Sequence, residues 1–479
     1  MPSEIINSVG IDIGTSTTQL IFSRLVVENR ASSYSVPRVE IIDKKVVYWS
    51  DIYFTPLLSP EVLDVNEIKK IVQDEYRKAN MTPSMLQSGA VIITGEAARK
   101  ENANEVLRSL SDSAGDFVVA TAGPALESVL SARGAGTDTM SRNRGDVVVN
   151  LDLGGGTANI AAYNKGTLLG VTCLDIGGRL IKVENGRITY IYHKIKKLAD
   201  DNNIRIEVGS TADVSALRKL TTIMAAILAE SLSLTPRTAL SANFYTNDGK
   251  PLPQPLNIDA VTFSGGVADF IYHPDAANGN IFKYNDIGAL LGEAIRENAC
   301  FKQVERLEPA ETIRATVVGA GVHTTEISGS TISFAEGYLP IKNVPVLNIT
   351  EEDEATPELM LASMKAQLPL FKPEGQLEQI AISFGGWSKN SFEDVQILAD
   401  TIIKGSQEVI QSKYPLILVL ENDIAKALGH ALNVKLNRSK PVICVDGIKT
   451  LSGDYIDIGE PVLGGRVLPV VIKTLVFNS

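Results

Sequence analysis

The stretch Val149 to Thr157, VNLDLGGGT, sets one carboxylate inside an apolar run and follows it with three glycines. Strand side chains alternate with period two, so Val149, Leu151 and Leu153 share one face and Asn150, Asp152 and Gly154 share the other. Asp152 then stands near a strand end on its more polar side. Gly154, Gly155 and Gly156 let the backbone turn sharply and come close to a bulky group with bare N–H donors. A carboxylate beside such donors suits a phosphate accompanied by a hard cation. A plain turn explains the glycines and leaves the Asp unexplained. The pattern occurs twice. GIDIGTSTTQ, from Gly10 to Gln19, overlays Asn150 to Asn159 without a gap, matching Asp12 to Asp152, Gly14 to Gly154, Thr17 to Thr157 and Gln19 to Asn159. Each copy runs strand, polar or glycine turn, second strand (TTQLIF and ANIAAY). A repeat of this kind predicts two similar lobes, with a carboxylate hairpin facing a cleft from each side.

Other phosphate and catalytic signatures are absent. Neither copy has the G-x-G-x-x-G spacing or the following helix of a dinucleotide fold, and no G-x-x-x-x-G-K-[ST] occurs. H-E-x-x-H and G-x-S-x-G are missing too. Cys173, Cys300 and Cys444 are far apart, and His193, His273, His323 and His430 are scattered, which fits packing and reduced thiols better than a disulfide or zinc site. A net charge of −11 argues against nucleic-acid or anionic-membrane partners. No apolar run approaches the roughly eighteen residues that span a bilayer. The start, MPSEIINSVGIDIG, has no basic leader, so a cytoplasmic protein is expected.

The elements that must position these residues are α/β in pattern. After the first hairpin come strand-like KKVVYWSDIYF, a helix from Asp64 to Asn80, a strand AVIIT from Ala90 and a helix from about Glu96 to Leu110. LRKLTTIMAAILAESL is apolar all round and predicts a buried helix. GKPLPQP from Gly249 to Pro255 predicts a connection. The stretch 345–378, with its acidic EEDEATPE, is the expected boundary. Residues 379–479 predict strand–helix–strand–helix–strand, with a capping box Asn390-x-x-Glu393. Asp446, at the end of PVICVDG, is either a ligand-binding acid at a strand end or a turn former before Gly447.

In order and type these motifs resemble the actin, heat-shock-70 and sugar-kinase superfamily of ATPases. VGIDIGTST and LDLGGGTAN resemble its two phosphate hairpins. AGPALESVLS from Ala122 resembles its first connecting helix, VTFSGGVA from Val261 its adenosine strand and turn, and DIGALLGEA from Asp286 its second connecting helix. AISFGGW, ending at Trp387, is the alternative adenosine motif. The resemblance implies an α/β, actin-like ATPase fold with duplicated ribonuclease-H-like lobes around a nucleotide cleft, plus a C-terminal α/β region. The implied divisions are 1–130, 131–345 and 346–479. It further implies ATP held by Gly14, Thr15, Ser16, Thr17, Gly154, Gly155, Gly156 and Thr157, adenosine against Ser264, Gly265 and Gly266, and Mg²⁺ on Asp12 and Asp152, which would also be the catalytic acids. Chaperone ATPases of this fold place a Glu before the Pro of the first connecting helix. Here that place is Gly123, and Glu127 lies four positions on, so slow hydrolysis is expected.

Taken end to end, the chain resembles the ethanolamine ammonia-lyase reactivating factors, an ethanolamine-utilisation family. The blocks that carry this are VGIDIGTSTTQLIFSRL, LDLGGGTANIAAYNKGTLLGVTCLDIGGRLI, VTFSGGVADFIY and RATVVGAGVHTTEISGSTI. The large subunit of diol dehydratase reactivase is a second, related resemblance. The first implies an ATP-dependent chaperone that releases damaged cobalamin from inactivated ethanolamine ammonia-lyase, so that intact adenosylcobalamin, the partner's cofactor, replaces it. It also implies a bacterial microcompartment association. A small-molecule kinase of the same fold and a nucleotide-dependent scaffold or filament protein are the competing expectations.

Overall fold

Strand Ser3–Ile13 and strand Thr17–Asn29 form the first hairpin, with Asp12 opposite Gln19. Val9, Ile11 and Ile13 bury one face against the amphipathic helix Val65–Lys78, whose N-terminus is capped by the Asp64 carboxylate. Strand Val39–Trp49 adds to the hairpin's free edge, and strands Ser88–Ile93 and Val119–Ala122 add in parallel on the other side. The second lobe repeats that layout. Strands Ala158–Asn164 and Thr167–Leu174 flank Val147–Leu153 as an antiparallel meander, and Ala260–Ser264 and Glu305–Arg306 follow in parallel. Asp152 lies opposite Asn159, matching the first pair. Both sheets therefore run third, second, first, fourth, fifth strand: the two similar lobes expected from the repeat, in the ribonuclease-H-like arrangement that the superfamily resemblance implied. The computed structural model describes residues 3–29, 39–59, 61–94, 97, 100–114, 119–122, 124–246, 250–323, 325–329, 331–372, 376–386, 391–450, 454–462 and 464–474.

The hinge differs from expectation. Helix Gly288–Glu297, expected as the second connecting helix, packs inside the second lobe against helix Val214–Ser231. The helix that crosses the first connecting helix, Pro124–Gly134, is instead Ala315–His323. Its glycines meet backbone. A Cβ on Gly319 would overlap the Leu130 carbonyl oxygen, and one on Gly10 would lie 2.5 Å from the Val317 carbonyl oxygen. Both stretches are rich in small residues, so composition alone did not separate them.

A third sheet follows. Strands Ile341–Asn348, Ala381–Phe384, Leu416–Leu420 and Val442–Val445 are parallel neighbours, with helices Pro357–Gln367, Phe392–Gly405 and Ala425–Lys435 packed on one face. Strands Asp454–Ile458, Pro469–Thr474 and Thr325–Ile327 extend it antiparallel beyond 341–348. The expected divisions at 130/131 and 345/346 thus fall inside a hinge helix and inside a strand of the third sheet. The capping box sits one residue later than expected, between Ser391 and Asp394, and Asn390 lies outside the described residues. Asp446 is fully buried. It accepts from the Thr331 hydroxyl and from the Ala425 N–H at 3.2 Å, clasping the segment that leaves the hinge helix.

Candidate functional site

The two hairpin turns are built alike. Gly14 donates its N–H to the Thr17 carbonyl at 2.8 Å, and Gly154 donates to the Thr157 carbonyl at 3.0 Å. They meet across a cavity of about 360 Å³, lined by Asp12, Gly14, Thr15, Ser16, Thr17, Asp152, Gly154, Gly155, Gly156, Thr157, Gly265 and Gly266. A Cβ on Gly155 would lie 2.6 Å from Ser16 Oγ, so the hairpins of the two lobes come within touching distance. Gly155 has no positive φ; space, not backbone handedness, demands glycine there. Ser264 is the one expected site residue that does not line the cavity. It sits behind Asp152 and donates its hydroxyl to Asp152 Oδ1 at 2.6 Å.

Ser264 belongs to a buried polar chain. Asn150 Nδ2 donates to Ser264 Oγ at 3.0 Å, and Thr262 Oγ1 donates to Asn150 Oδ1 at 2.9 Å. On the other wall Thr94 Oγ1 donates to Asp12 Oδ1 at 3.0 Å. Each acid is thus oriented by a hydroxyl from the neighbouring parallel strand or its end. Burial pushes the Asp12 carboxyl up to about 7, against the Thr94 hydrogen bond and with help from the Asp152 charge. Burial likewise raises Asp152 to about 6, opposed by Ser264. Two buried acids in one cleft resist ionising together, and a cation would relieve both. Among the described residues the buried atoms Ser16 Oγ and Gln19 Oε1 have no hydrogen-bond partner, although both residues line the cavity. Among the described residues no cluster of three or more His, Cys, Asp or Glu could hold a metal. Two carboxylates that line one cavity from two hairpins fit a hydrated cation such as Mg²⁺, which takes one or two carboxylates, waters and phosphate oxygens.

The turn expected to take adenosine is shaped by two different glycines. Gly265 has φ +82°, and a Cβ there would lie 2.5 Å from the Leu153 carbonyl oxygen. A Cβ on Gly266 would meet nothing within 4 Å and would point into open space. The alternative pair at 385–386 lies in the third sheet's unit, where the Gly386 N–H donates to both Glu354 carboxylate oxygens at 2.8 and 3.0 Å. Gly386 does not line this cavity.

Sequence reasoning left several lining residues unassigned. Glu127 is buried and faces the cleft from the first turn of the 124–134 helix. Arg179 and Asp286 pair at 3.5 Å beside the second hairpin. Thr316 enters from the hinge helix, and Ile52, Tyr53 and Phe54 from a short strap after the first lobe's third strand. Thr55 ties that strap to the first hairpin, its N–H donating to the Ser16 carbonyl at 3.1 Å and its Oγ1 to the Gly14 carbonyl at 2.7 Å. The only signal for Glu127 was its helical spacing from Pro124; the others are brought in by tertiary packing.

Two ribonuclease-H-like lobes, a carboxylate hairpin from each, and small-residue helices crossing at the hinge define a protein of the actin-like ATPase fold. A sequence profile described as "Ethanolamine utilisation protein EutA" matches residues 4–478. Two curated relatives are each 36% identical, with 98% of this chain and 98% of theirs aligned: the ethanolamine ammonia-lyase reactivases EutA of Escherichia coli (strain K12) and Salmonella typhimurium (strain LT2). The chain belongs to the ethanolamine utilisation protein EutA family. Among solved structures, the Aquifex aeolicus member of the Ppx/GppA family is 11% identical, covers 66% of this chain and 97% of its own, and superposes at a TM-score of 0.38. The fold assignment rests on the two matching strand orders. Among the described residues no helix is long and apolar enough to cross a membrane.

Proposed function

We propose that this chain is an ATP-dependent reactivating chaperone for ethanolamine ammonia-lyase, releasing damaged cobalamin so that intact adenosylcobalamin can bind. The observation that carries this is the end-to-end match to two ethanolamine ammonia-lyase reactivases at 36% identity. The cleft supports the energy source. The turn N–H groups of Thr15 to Thr17 and Gly155 to Thr157, with the Ser16 hydroxyl, would hold phosphates. Asp12 and Asp152 would hold hydrated Mg²⁺, which when bound neutralises charge on the phosphates. Gly265 and Gly266 would leave room for the adenosine. Glu127 faces the cleft and would orient the attacking water, a task suited to chemistry that is mostly positioning. Residues 312–316 link the cleft to the hinge. Thr312 accepts the Gly265 N–H at 3.0 Å, Gln19 Nε2 donates to the Ile313 carbonyl at 3.5 Å, and Arg314 donates to the Ser50 carbonyl at 3.1 Å. Nucleotide state can bias the partner surface only if each conformation binds the nucleotide differently, and this segment touches both lobes.

The test uses ethanolamine ammonia-lyase inactivated with damaged cobalamin. Activity should return only when this protein, ATP, Mg²⁺ and intact adenosylcobalamin are all present. Recovery without nucleotide, or a phosphorylated metabolite in place of recovery, would sink the proposal. Association with a bacterial microcompartment would follow from the partner's location and is checked by co-fractionation.

A further inference from the structure

We infer that Arg179 distinguishes ATP from ADP, its guanidinium taking the terminal phosphate; this rests on the cleft being the nucleotide site. The charge inventory motivates it. The cavity is lined by four carboxylates, those of Asp12, Glu127, Asp152 and Asp286, and among the described lining residues Arg179 is the sole cationic side chain. A polyanion entering an acidic cleft depends on whatever positive charge the walls offer besides a bound cation.

The placement is specific. The Arg179 N–H donates to the Gly155 carbonyl at 2.7 Å, which fixes its backbone on the second phosphate hairpin. The point where a Gly155 Cβ would sit lies 3.5 Å from Arg179 Cβ, 3.6 Å from its Cδ and 2.6 Å from Ser16 Oγ. The side chain therefore leaves the place where both hairpins converge. Its guanidinium contacts Asp286 through Nε at 3.5 Å, a long single-point pairing, and lies 5.6 Å from the Phe54 ring centroid. An arginine has five N–H donors in a planar fork suited to phosphate oxygens, and this clasp uses one. Asp286 has a second partner, since its other oxygen accepts the Gly288 N–H at 2.8 Å, and burial raises its carboxyl to about 6 despite the Arg179 charge. The guanidinium is thus parked on a replaceable partner beside the phosphate turns. Phe54 belongs to the first lobe's strap, paired with Thr17 of the first hairpin, so the parked position also spans the cleft.

ADP lacks the group that Arg179 would take, so the two nucleotides separate this role from a structural one. Calorimetric titration of the full-length protein with Mg-ADP and with a slowly hydrolysed Mg-ATP analogue reads both affinities. Arg179→Gln should weaken the analogue about 10- to 100-fold and ADP by about twofold or less, as expected for losing one charge-assisted phosphate contact. Arg179→Lys should recover part of the loss, since it keeps the charge without the fork. Asp286→Asn should bind the analogue at least as well as wild type, because it loosens the competing clasp. Equal weakening toward both nucleotides, no weakening, or Asp286→Asn behaving like Arg179→Gln would overturn the inference. A wild-type protein that binds neither nucleotide would overturn the nucleotide site itself and this inference with it, an outcome distinct from normal binding with an indifferent Arg179→Gln.

Discussion

Gly134 and Ala315 touch backbone to backbone: a Cβ on Gly134 would overlap the Ala315 carbonyl oxygen. Gly319 against Leu130 repeats the contact one turn along, so the two hinge helices cross on glycines with no side chain between them. Helices packed this closely leave no slack for an added methyl. Gly134→Ala and Gly319→Ala should each destabilise the protein by about 1–3 kcal/mol through overpacking. Chemical denaturation checks this, and midpoints equal to wild type would show that the helices do not cross so closely in solution.

The paired acids make stability depend on pH. Burial pushes Asp12 up to about 7 and Asp152 up to about 6, from an ordinary 3.8. A carboxyl raised in the folded state holds its proton more tightly than in the unfolded chain. The ligand-free protein is therefore favoured below about pH 4 by these groups and loses that contribution as pH rises through about 7. Asp286 and Asp446 shift in the same direction, so they add to the slope. Asp12→Asn should flatten the fall in Tm between pH 5 and 8, and Mg-ATP should flatten it in the wild type. Parallel wild-type and Asp12→Asn curves would show that Asp12 is ionised in the free protein. The same substitution, and Asp152→Asn, should abolish Mg²⁺-dependent ATP turnover while leaving unfolding cooperative.

The glycines of the cleft separate folding from binding. Gly266→Ala adds a methyl that meets no protein atom within 4 Å and lines the cavity, so Tm should hold while nucleotide affinity falls if the adenosine lies there. Gly265→Ala combines φ +82° with a Cβ 2.5 Å from the Leu153 carbonyl oxygen, and should cost about 1 kcal/mol or more before any ligand is added. Gly155→Val should weaken nucleotide binding by driving Ser16 and Arg179 apart. Thermal unfolding with and without Mg-ATP tests all three. An unchanged ligand-induced shift in Gly266→Ala would place the adenosine elsewhere.

Much of this cleft was legible because its chemistry is local. Asp12 and Asp152 declare themselves by alternation and glycine spacing, and the offset between GIDIGTSTTQ and NLDLGGGTAN reappears in the strand pairing of Asp12 with Gln19 and Asp152 with Asn159. Ser264 entered through the resemblance of VTFSGGVA to an adenosine strand, and the structure instead gives it Asp152 as its partner. What escaped depends on distant segments meeting. GALLGEAI and ATVVGAGV are both small-residue helices, and only the surfaces they meet decide which one forms the hinge. Arg179 and Asp286 stand far apart in the chain, and the local patterns around them gave neither residue a partner. Strands 454–458 and 469–474 follow the five elements expected after residue 379, and their role as antiparallel extensions depends on the neighbouring sheet edge.

Glu127 is where local spacing stopped short and the fold completed the answer. Gly123, where chaperone ATPases of this fold would place a Glu, lies outside the described residues, whereas Glu127 one helical turn on is buried and lines the cavity. A carboxylate that faces the cleft from a fixed helix start can orient a water and take its proton. Glu127→Gln preserves size and removes that basicity. Turnover of ATP should fall about 100-fold, within the usual range for a general base, with ATP affinity little changed. Glu127→Ala should lose as much activity, and Glu127→Asp, which retracts the carboxylate by one methylene, should keep an intermediate rate. Steady-state hydrolysis alongside calorimetric binding separates kcat from affinity. If Glu127→Gln hydrolysed ATP at the wild-type rate, the water would have to be positioned by Asp12 or Asp152, and the first connecting helix would serve the hinge alone.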